Sequence, residues 1–401
     1  MRIVRVANYV APRSGGLKTA LRHLGAGYQA AGHESVLIIP GEKESVTDTE
    51  QGRTITLPGP YVPGVGGYRV LLDRRRLAAT LRILRPDRIE ISDRTTLRWL
   101  GRWARRHDVP SMMVSHESLD GLLRLFGPAS GRRVADVLNG RTAADHDKIV
   151  CTTRWASAEF ERIGRPVTRV PLGVDLDRFR PDRRSESMRS RWAGPDDVLL
   201  LHCGRLSPEK KPRRSLAALE GLRHQGVRAV LVVAGAGPLR NALQEEAAAR
   251  GLPVRFLGHL GDPLEVAALQ ASADVAIAPG PIETFGLSAL ETLASGTPVV
   301  VSSESALPEV IGSAGLAAAG EGPGYVSAVL DLLSHPEAAR RQAARTQAEK
   351  FPWSASVDGF LAAHGAASGA HRSSGDRPGA DRVGVDRVGG AETLGRDAGR
   401  A

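Results

Sequence analysis

Only two of the 401 residues are cysteine, Cys151 and Cys203, and each ends an apolar, strand-like run. Small buried thiols in a reducing compartment account for both, and a disulfide framework is excluded. The eleven histidines form no HxH or HExxH cluster, so the chain carries no sequence signal for a metal site. No apolar run approaches the roughly 20 residues that a membrane-spanning helix needs. The opening residues, Met1-Arg-Ile-Val-Arg-Val6, lead into a strand and not into a secretory signal. A soluble, cytoplasmic protein is expected. A GxGxxG fingerprint is also missing, which disfavours a dinucleotide-dependent dehydrogenase. Aromatic residues make up only 4% while Ala, Gly and Arg abound, a bias that fits GC-rich coding.

Acidic balance is missing from one half only. Residues 1–180 hold 30 Lys+Arg against 19 Asp+Glu, whereas residues 181–401 hold 24 against 25. A one-sided basic half suits an acidic partner: an anionic membrane surface, an acidic substrate or a nucleic acid. For nucleic acid the aromatic stacking motifs and any recognisable module are absent. Arginine-rich composition accounts for part of the excess.

What is present is an alternation of strand-like and helix-like segments. In the first half, strands are expected at 3–6, 35–39, 87–92, 111–115 and 148–152, with helices at 17–31, 74–84 and 95–106. In the second half, strands at 198–203, 229–234, 254–257, 275–279 and 298–302 alternate with helices at 213–224, 238–249, 263–272 and 287–294. A further helix is expected at 337–349. Such alternation predicts right-handed βαβ units and doubly wound parallel sheets. Two arrays make two Rossmann-like α/β domains with a ligand cleft at the carboxyl ends of both sheets. The break falls near Val170–Phe179, where Pro171 and Gly173 interrupt both patterns. We divide the chain into residues 1–172, 173–350, a segment 351–365 and a tail 366–401. The tail repeats Asp-Arg-Val-Gly, is rich in glycine and has almost nothing to bury, so it reads as disordered.

The most informative stretch is Glu283-Thr-Phe-Gly-Leu-Ser-Ala-Leu-Glu291, two glutamates with seven residues between them. It follows a buried strand and opens a helix, and free N–H groups at a helix start make a ready anion site. Two carboxylates beside such a site suit a ligand with both phosphate and hydroxyls. Spacing alone fits equally a helix cap at Glu283 and a solvated helix residue at Glu291. Gly15 and Gly16 lie between the first strand and its helix, where a backbone can approach phosphate; a plain turn is the alternative. Arg205 and Lys210 follow the strand ending at Cys203, and two cations there match a diphosphate leaving group. Lys211, Arg213 and Arg214 come at once after them and read as a solvated face. His116 ends a strand and points at the expected cleft, and Asp93 is a weaker candidate for binding an acceptor hydroxyl. In 95–106, Trp99 and Trp103 share a face rimmed by Arg98, Arg102, Arg105 and Arg106. That pattern fits binding to anionic lipid, or a core-packed helix with a basic outer face.

Several of these stretches together carry a family resemblance. In chain order they are Asn8-Tyr-Val-Ala-Pro-Arg-Ser-Gly-Gly-Leu17, Val170-Pro-Leu-Gly-Val-Asp-Leu-Asp-Arg-Phe179 and Gly204-Arg-Leu-Ser-Pro-Glu-Lys210. Then come Val232-Val-Ala-Gly-Ala-Gly-Pro238, Phe256-Leu-Gly258 and the two-glutamate stretch with Ala294-Ser-Gly-Thr-Pro-Val-Val301. The chain resembles retaining GT-B glycosyltransferases of family 4 over roughly residues 1–360. With Ser14–Ala20, Gly66-Gly-Tyr-Arg69, Ser92-Asp-Arg94, Ser115-His-Glu117 and Ala278-Pro-Gly280, it is most similar to actinobacterial GDP-mannose-dependent α-mannosyltransferases.

The resemblance implies a GT-B fold and transfer of mannose from GDP-mannose to a lipid-linked or glycolipid acceptor. It implies catalytic roles for His116, Arg205, Lys210 and Glu283, with Arg205 and Lys210 on the diphosphate. Glu283 would meet the sugar hydroxyls, Glu291 the ribose, and the amides of Phe285, Gly286 and Leu287 the sugar and phosphate oxygens. Gly258 and His259 would border the base. Asp175-Leu-Asp177 would be structural and not a metal-binding DxD, the reaction would need no metal cofactor, and the segment after 350 would return to the first domain. The remaining alternatives are a UDP-sugar donor with a small-metabolite acceptor, or a basic nucleic-acid-binding protein.

Overall fold

The computed structural model describes residues 1–10, 15–62, 68–124 and 131–366. Ser14, Gly66, Gly67 and all of the tail except Ala366 lie outside the described residues. In the first domain the elements are β1 (Arg2–Val6), α1 (Gly16–Ala30), β2 (Glu34–Gly41), β3 (Ser45–Thr49) and β4 (Gly52–Pro58). They continue with α2 (Arg74–Leu84), β5 (Arg88–Ile91), α3 (Trp99–Arg106), β6 (Ser111–Ser115), α4 (Leu119–Arg124) and α5 (Gly131–Asp145). The last three are β7 (Lys148–Cys151), α6 (Arg154–Glu161) and β8 (Thr168–Arg169). The sheet runs β3-β4-β2-β1-β5-β6-β7-β8, parallel except for the β3–β4 hairpin.

The second domain has α7 (Glu186–Arg189), β9 (Val198–Cys203), α8 (Arg213–His224), β10 (Ala229–Ala234), α9 (Arg240–Ala249) and β11 (Val254–Gly258). It continues with α10 (Pro263–Ser272), β12 (Val275–Ala278), α11 (Leu287–Ala294), β13 (Val299–Ser302), α12 (Leu307–Ile311) and β14 (Leu316–Ala318). Three helices close the described chain: α13 (Pro323–Ser334), α14 (Glu337–Ala348) and α15 (Trp353–Ala363). This sheet is β11-β10-β9-β12-β13-β14, parallel throughout. Leu199 and Leu201 of β9 face one core cluster while Leu200 faces the other, so both sides of the sheet are covered. Removing either face is costly: Leu201→Ala would lose about 2–5 kcal/mol.

Strand order reverses between β1 and β5 in one sheet and between β9 and β12 in the other. At such switch points the loops diverge and leave a crevice at the carboxyl ends of the strands. Both are where the candidate residues lie. Helix α15 packs against α1, where the His23 and Trp353 rings stack at 4.5 Å, and meets the start of β7, where Lys148 Nζ donates to Ala363 O at 2.6 Å. A side chain on Gly27 would lie 2.2 Å from Val357, so the two helices meet only because residue 27 has none.

Helix α3 begins at Trp99, four residues later than the sequence pattern suggests. Asp93 captures the chain in a turn, accepting from Thr95 N at 2.7 Å and Thr95 Oγ1 at 2.6 Å, which competes with helical bonding. Its apolar face is packed inward. Leu100 and Trp103 are buried in the core with Leu77 and Leu81 of α2, and Trp103 stacks on His107. The core-packed alternative is therefore the one observed, and the Trp103 ring is not available for insertion into a bilayer.

Candidate active site

Arg205 stands on the loop leaving β9, and the neighbouring loop holds that segment in place. Gly204 N donates to Ala234 O, Leu206 N to Ala236 O and Leu239 N to Leu206 O, all between 2.9 and 3.0 Å. A Cβ at Gly235 would sit 1.8 Å from Gly204 O, so glycine is the residue this contact requires. Lys210 ends the short 3-10 turn Pro208–Lys210 on the same loop. It forms an ion pair with Glu283, on the loop leaving β12 at the other side of the switch point. Gly280 backs this pair; a side chain there would crowd Glu283 Oε1 at 3.3 Å.

The loop from Glu283 into α11 is tied at three points. Glu283 O accepts from Ala306 N at 2.9 Å, Phe285 is buried edge-on to Phe351 at 6.0 Å, and Thr284 Oγ1 donates to His116 O at 2.7 Å. Gly286 caps the helix in left-handed geometry (φ 78°, ψ 62°), and a Cβ there would meet Leu307 Cδ2 at 2.2 Å. The amides of Phe285, Gly286 and Leu287 donate to no acceptor among the described residues. They form the open end of the α11 dipole. Glu291 lies one turn into α11; burial pushes its carboxyl up to about 7, with Asp175 adding and Arg178 and Arg22 opposing.

The first domain brings its own groups to this edge. Gly15 precedes α1 and Gly16 begins it, exposed, with its open side 3.8 Å from Leu287 of the second domain. His116 follows β6; burial pushes its imidazole down to about 4, so it is neutral at pH 7, and its Nε2 is buried without a partner among the described residues. The Glu117 carboxyl is pushed up to about 7 by burial, with Asp93 adding. Tyr68 places its ring under the Arg205 guanidinium, 4.8 Å from Cζ to the centroid, and its hydroxyl accepts a hydrogen bond from Arg205 Nη2. Tyr9, at a strained φ of 56°, meets Tyr68 edge-on at 6.1 Å.

The structure thus brings together Arg205, Lys210, Glu283 and the start of α11, with Gly16 and His116 facing them. Gly258 (φ 76°) lies at the end of β11, its Cβ position 3.1 Å from Arg240 Nη1, and exposed His259 follows it. Asp93 does not fit the role given to it: it is 2% exposed and accepts from Asn8, Thr95 and Thr96, leaving no lone pair aimed at a ligand. Arg214 is not a solvated charge either. It is 6% exposed and pairs with Glu304 and Glu321, because α8 turns it beneath Pro279 O. Sequence reasoning missed Tyr9, Glu117 and Arg240 as site residues, and Tyr68 as the partner of Arg205. Tyr9, Tyr68 and Glu117 each lie in a stretch that carries the family resemblance, which was the signal available for them; Arg240 had none. Among the described residues, no three His, Cys, Asp or Glu are grouped to hold a metal ion.

Two parallel-sheet α/β domains with Arg205, Lys210, Glu283 and the start of α11 at the edge between them define the GT-B class of glycosyltransferase. Residues 184–350 match the family model described as glycosyl transferases group 1, and residues 15–173 match the glycosyl transferase 4-like domain. A Mycobacterium tuberculosis protein named GDP-mannose-dependent alpha-(1-6)-phosphatidylinositol dimannoside mannosyltransferase is 50% identical over 373 residues, covering 91% of this chain and 96% of that one. The Mycolicibacterium smegmatis GDP-mannose-dependent alpha-mannosyltransferase is 29% identical, over 75% and 79%. The chain belongs to this family of GT4 glycosyltransferases. The same fold occurs in Anabaena HepE bound to UDP-glucose, with a TM-score of 0.70, 15% identity and coverage of 90% of this chain and 100% of that one.

Proposed function

We infer that the chain is a retaining glycosyltransferase that moves mannose from GDP-mannose to a glycolipid acceptor, forming an α linkage. One observation carries the donor and acceptor: half of the residues are identical, over nearly the whole length, to an enzyme named for that donor and for a phosphatidylinositol mannoside. Arg205 and Lys210 take the diphosphate, whose charge grows as the glycosidic bond breaks, and in doing so Lys210 leaves Glu283. Glu283 is then free to accept from the mannose hydroxyls, while the amides of Phe285, Gly286 and Leu287 donate to sugar and phosphate oxygens. Glu291 accepts from the ribose. Gly15 and Gly16 let the first domain close over the phosphates, and Gly258 and His259 border the base. His116, held neutral, offers its unpartnered nitrogen to the sugar.

No carboxylate serves as a covalent nucleophile in this reading. The departing diphosphate assists attack of the acceptor hydroxyl from the same face, and positioning with fixed charge makes a metal unnecessary. Among the described residues no helix is long and apolar enough to cross a membrane. A lipid acceptor is then met from the water side, with the basic first half of the chain against the anionic inner surface of the plasma membrane.

The test is incubation of the purified protein with radiolabelled GDP-mannose and isolated membranes. A labelled lipid from which α-mannosidase releases the label is expected. Transfer from UDP-sugars only, or label only in a water-soluble product, would overturn the reading.

A further inference from the structure

Asp93 is closed to a ligand by its own hydrogen bonds, and an open carboxyl stands one strand away. Strands β5 and β6 are parallel neighbours, so the segment Ser115-His-Glu-Ser118 emerges beside Asp93 at the carboxyl edge of the sheet. That segment is fixed from within the first domain. Arg94 Nη2 donates to Ser115 Oγ at 2.6 Å, and Ser115 Oγ donates to Glu117 O at 3.2 Å. Buried Glu159 accepts from Ser118 Oγ, from Leu119 N at 3.2 Å and from Asp120 N at 3.1 Å, besides Arg94 and Asn139. The second domain holds the segment from the other side. Thr284 Oγ1 donates to His116 O at 2.7 Å, and a Cβ at Gly121 would lie 2.7 Å from Ile282 Cγ2. Ile282 and Thr284 flank Glu283, so Glu117 is carried to the place where the donor loop meets the first domain.

Glu159 and Glu117 are treated in opposite ways. Glu159 is saturated with donors, whereas the half-buried Glu117 carboxyl accepts no hydrogen bond and pairs with no cation among the described residues. Burial, with Asp93 adding and Arg94 opposing, pushes Glu117 up to about 7, the mark of a carboxylate without donors. An enclosed polar group left in that state calls for a partner. Its surroundings are also in view. Burial raises the Tyr9 phenol, with Asp93 adding and Glu117 adding less, so these three side chains border one space. On the same segment His116 Nε2 is buried without a partner among the described residues. Arg94 is committed to Ser115, Asn139 and Glu159 and does not turn to this space.

What the space lacks is a neutral group that donates hydrogen bonds. A phosphate only accepts, and it would bring negative charge against Glu117 and Asp93. Arg205 and Lys210, which suit a phosphate, stand on the second domain. Sugar hydroxyls donate and carry no charge, and Tyr9 with Tyr68 edge-on to it supplies an apolar wall beside them. We propose that Glu117 accepts a hydrogen bond from a hydroxyl of the acceptor's terminal sugar and sets that sugar against the donor, in a subsite that takes a neutral sugar and turns away a phosphate. The proposal rests on the reading of a sugar-bearing acceptor given above. It directs the acceptor's own phosphate away from the reacting centre.

The test uses the full chain with octyl α-D-mannopyranoside as a neutral acceptor probe. Glu117→Gln is isosteric and removes a charge that the fold leaves unpaired, so the variant should fold. Its KM for the octyl mannoside should rise about tenfold, with the KM for GDP-mannose within about twofold of wild type. Glu117→Asp keeps the charge but withdraws it by one methylene, and its KM should fall between the two. An unchanged mannoside KM in both variants overturns the role. An equal rise for both substrates, which a loosened segment would give, overturns it as well. In the wild type, mannose 6-phosphate should compete with the octyl mannoside at least about tenfold more weakly than methyl α-D-mannopyranoside does. Equal competition overturns the exclusion of phosphate. A second arm needs no turnover: saturation-transfer NMR of methyl α-D-mannopyranoside on the GDP-loaded chain. Signal is expected in the wild type and not in Glu117→Gln, and equal signal in both overturns the subsite. The expected NMR pattern in a protein that transfers no mannose would uphold the subsite and count against the enzyme reading alone.

Discussion

Glu291→Gln separates two roles of one carboxylate, because the ionised form is unfavourable in the empty site and required in the occupied one. Burial raises this carboxyl from 4.5 to about 7. At 1.36 kcal/mol per unit that corresponds to about 3 kcal/mol for a fully enclosed group. Glu291 is only half-buried, and solvent screening reduces the figure to roughly 1–2 kcal/mol. The sign follows from linkage. The folded state holds the proton more tightly than the unfolded chain does, so the stabilising contribution is complete below pH 4.5 and is lost as pH rises through 7. Glutamine cannot ionise and escapes that loss. The melting temperatures of the two proteins should therefore coincide near pH 4.5, and the variant should be higher by on the order of 2 °C at pH 8. Glu117, pushed to about 7 in the same way, titrates in both proteins and cancels from the difference. With donor the order reverses: losing a charged acceptor for the ribose hydroxyls costs about 1.5 kcal/mol, or roughly tenfold in KM for GDP-mannose at pH 8. Parallel melting curves across pH, together with an unchanged donor KM, would refute both roles.

Lys210→Ala and Glu283→Ala should each lower turnover on the order of 100-fold while circular dichroism stays unchanged; normal turnover in both would remove the pair from the site. Tyr68→Phe keeps the ring under Arg205 and loses the hydrogen bond, so donor KM should rise about fivefold, and about 30-fold in Tyr68→Ala. The same KM in all three proteins would show that Arg205 needs no support from the first domain. Gly286→Ala drives a methyl towards Leu307 in a left-handed turn, and a donor affinity equal to wild type would contradict the tight start of α11. Activity should persist in excess EDTA; complete loss restored by Mg²⁺ or Mn²⁺ would replace the electrostatic mechanism with a metal-assisted one.

The second sheet was almost fully legible because its strands, VLLLHC, AVLVVA, VAIA and VVVS, are buried on both faces and bounded by breakers. The β3–β4 hairpin was not. All five residues of β3 are exposed, so no alternation marks the strand, and only pairing with β4 makes it one. The start of α3 was misplaced because apolar spacing cannot register that the Asp93 side chain competes for the backbone. Spacing also shows that Trp99 and Trp103 share a face without showing which way it turns, a matter decided by the α2 packing behind it.

The candidate site divides along the same physical line. Arg205, Lys210 and Glu283 could be proposed because each follows a strand whose carboxyl end is fixed by topology, so chain order alone takes them to one edge. That Lys210 and Glu283 pair, though 73 positions apart, depends on β9 and β12 being neighbours. Chain order does not give that adjacency. Contacts across the cleft are further out of reach: Tyr68 meets Arg205, and Thr284 meets His116, only where two separately folded sheets face each other. These contacts join a residue typed for the donor to one on the acceptor side. A diphosphate that draws Arg205 towards itself must therefore disturb Tyr68, and through it Tyr9. The Tyr68–Tyr9 pair is one of the contacts by which Arg205 meets the first domain, and the Tyr68 substitutions interrupt it without touching either loop of the second domain.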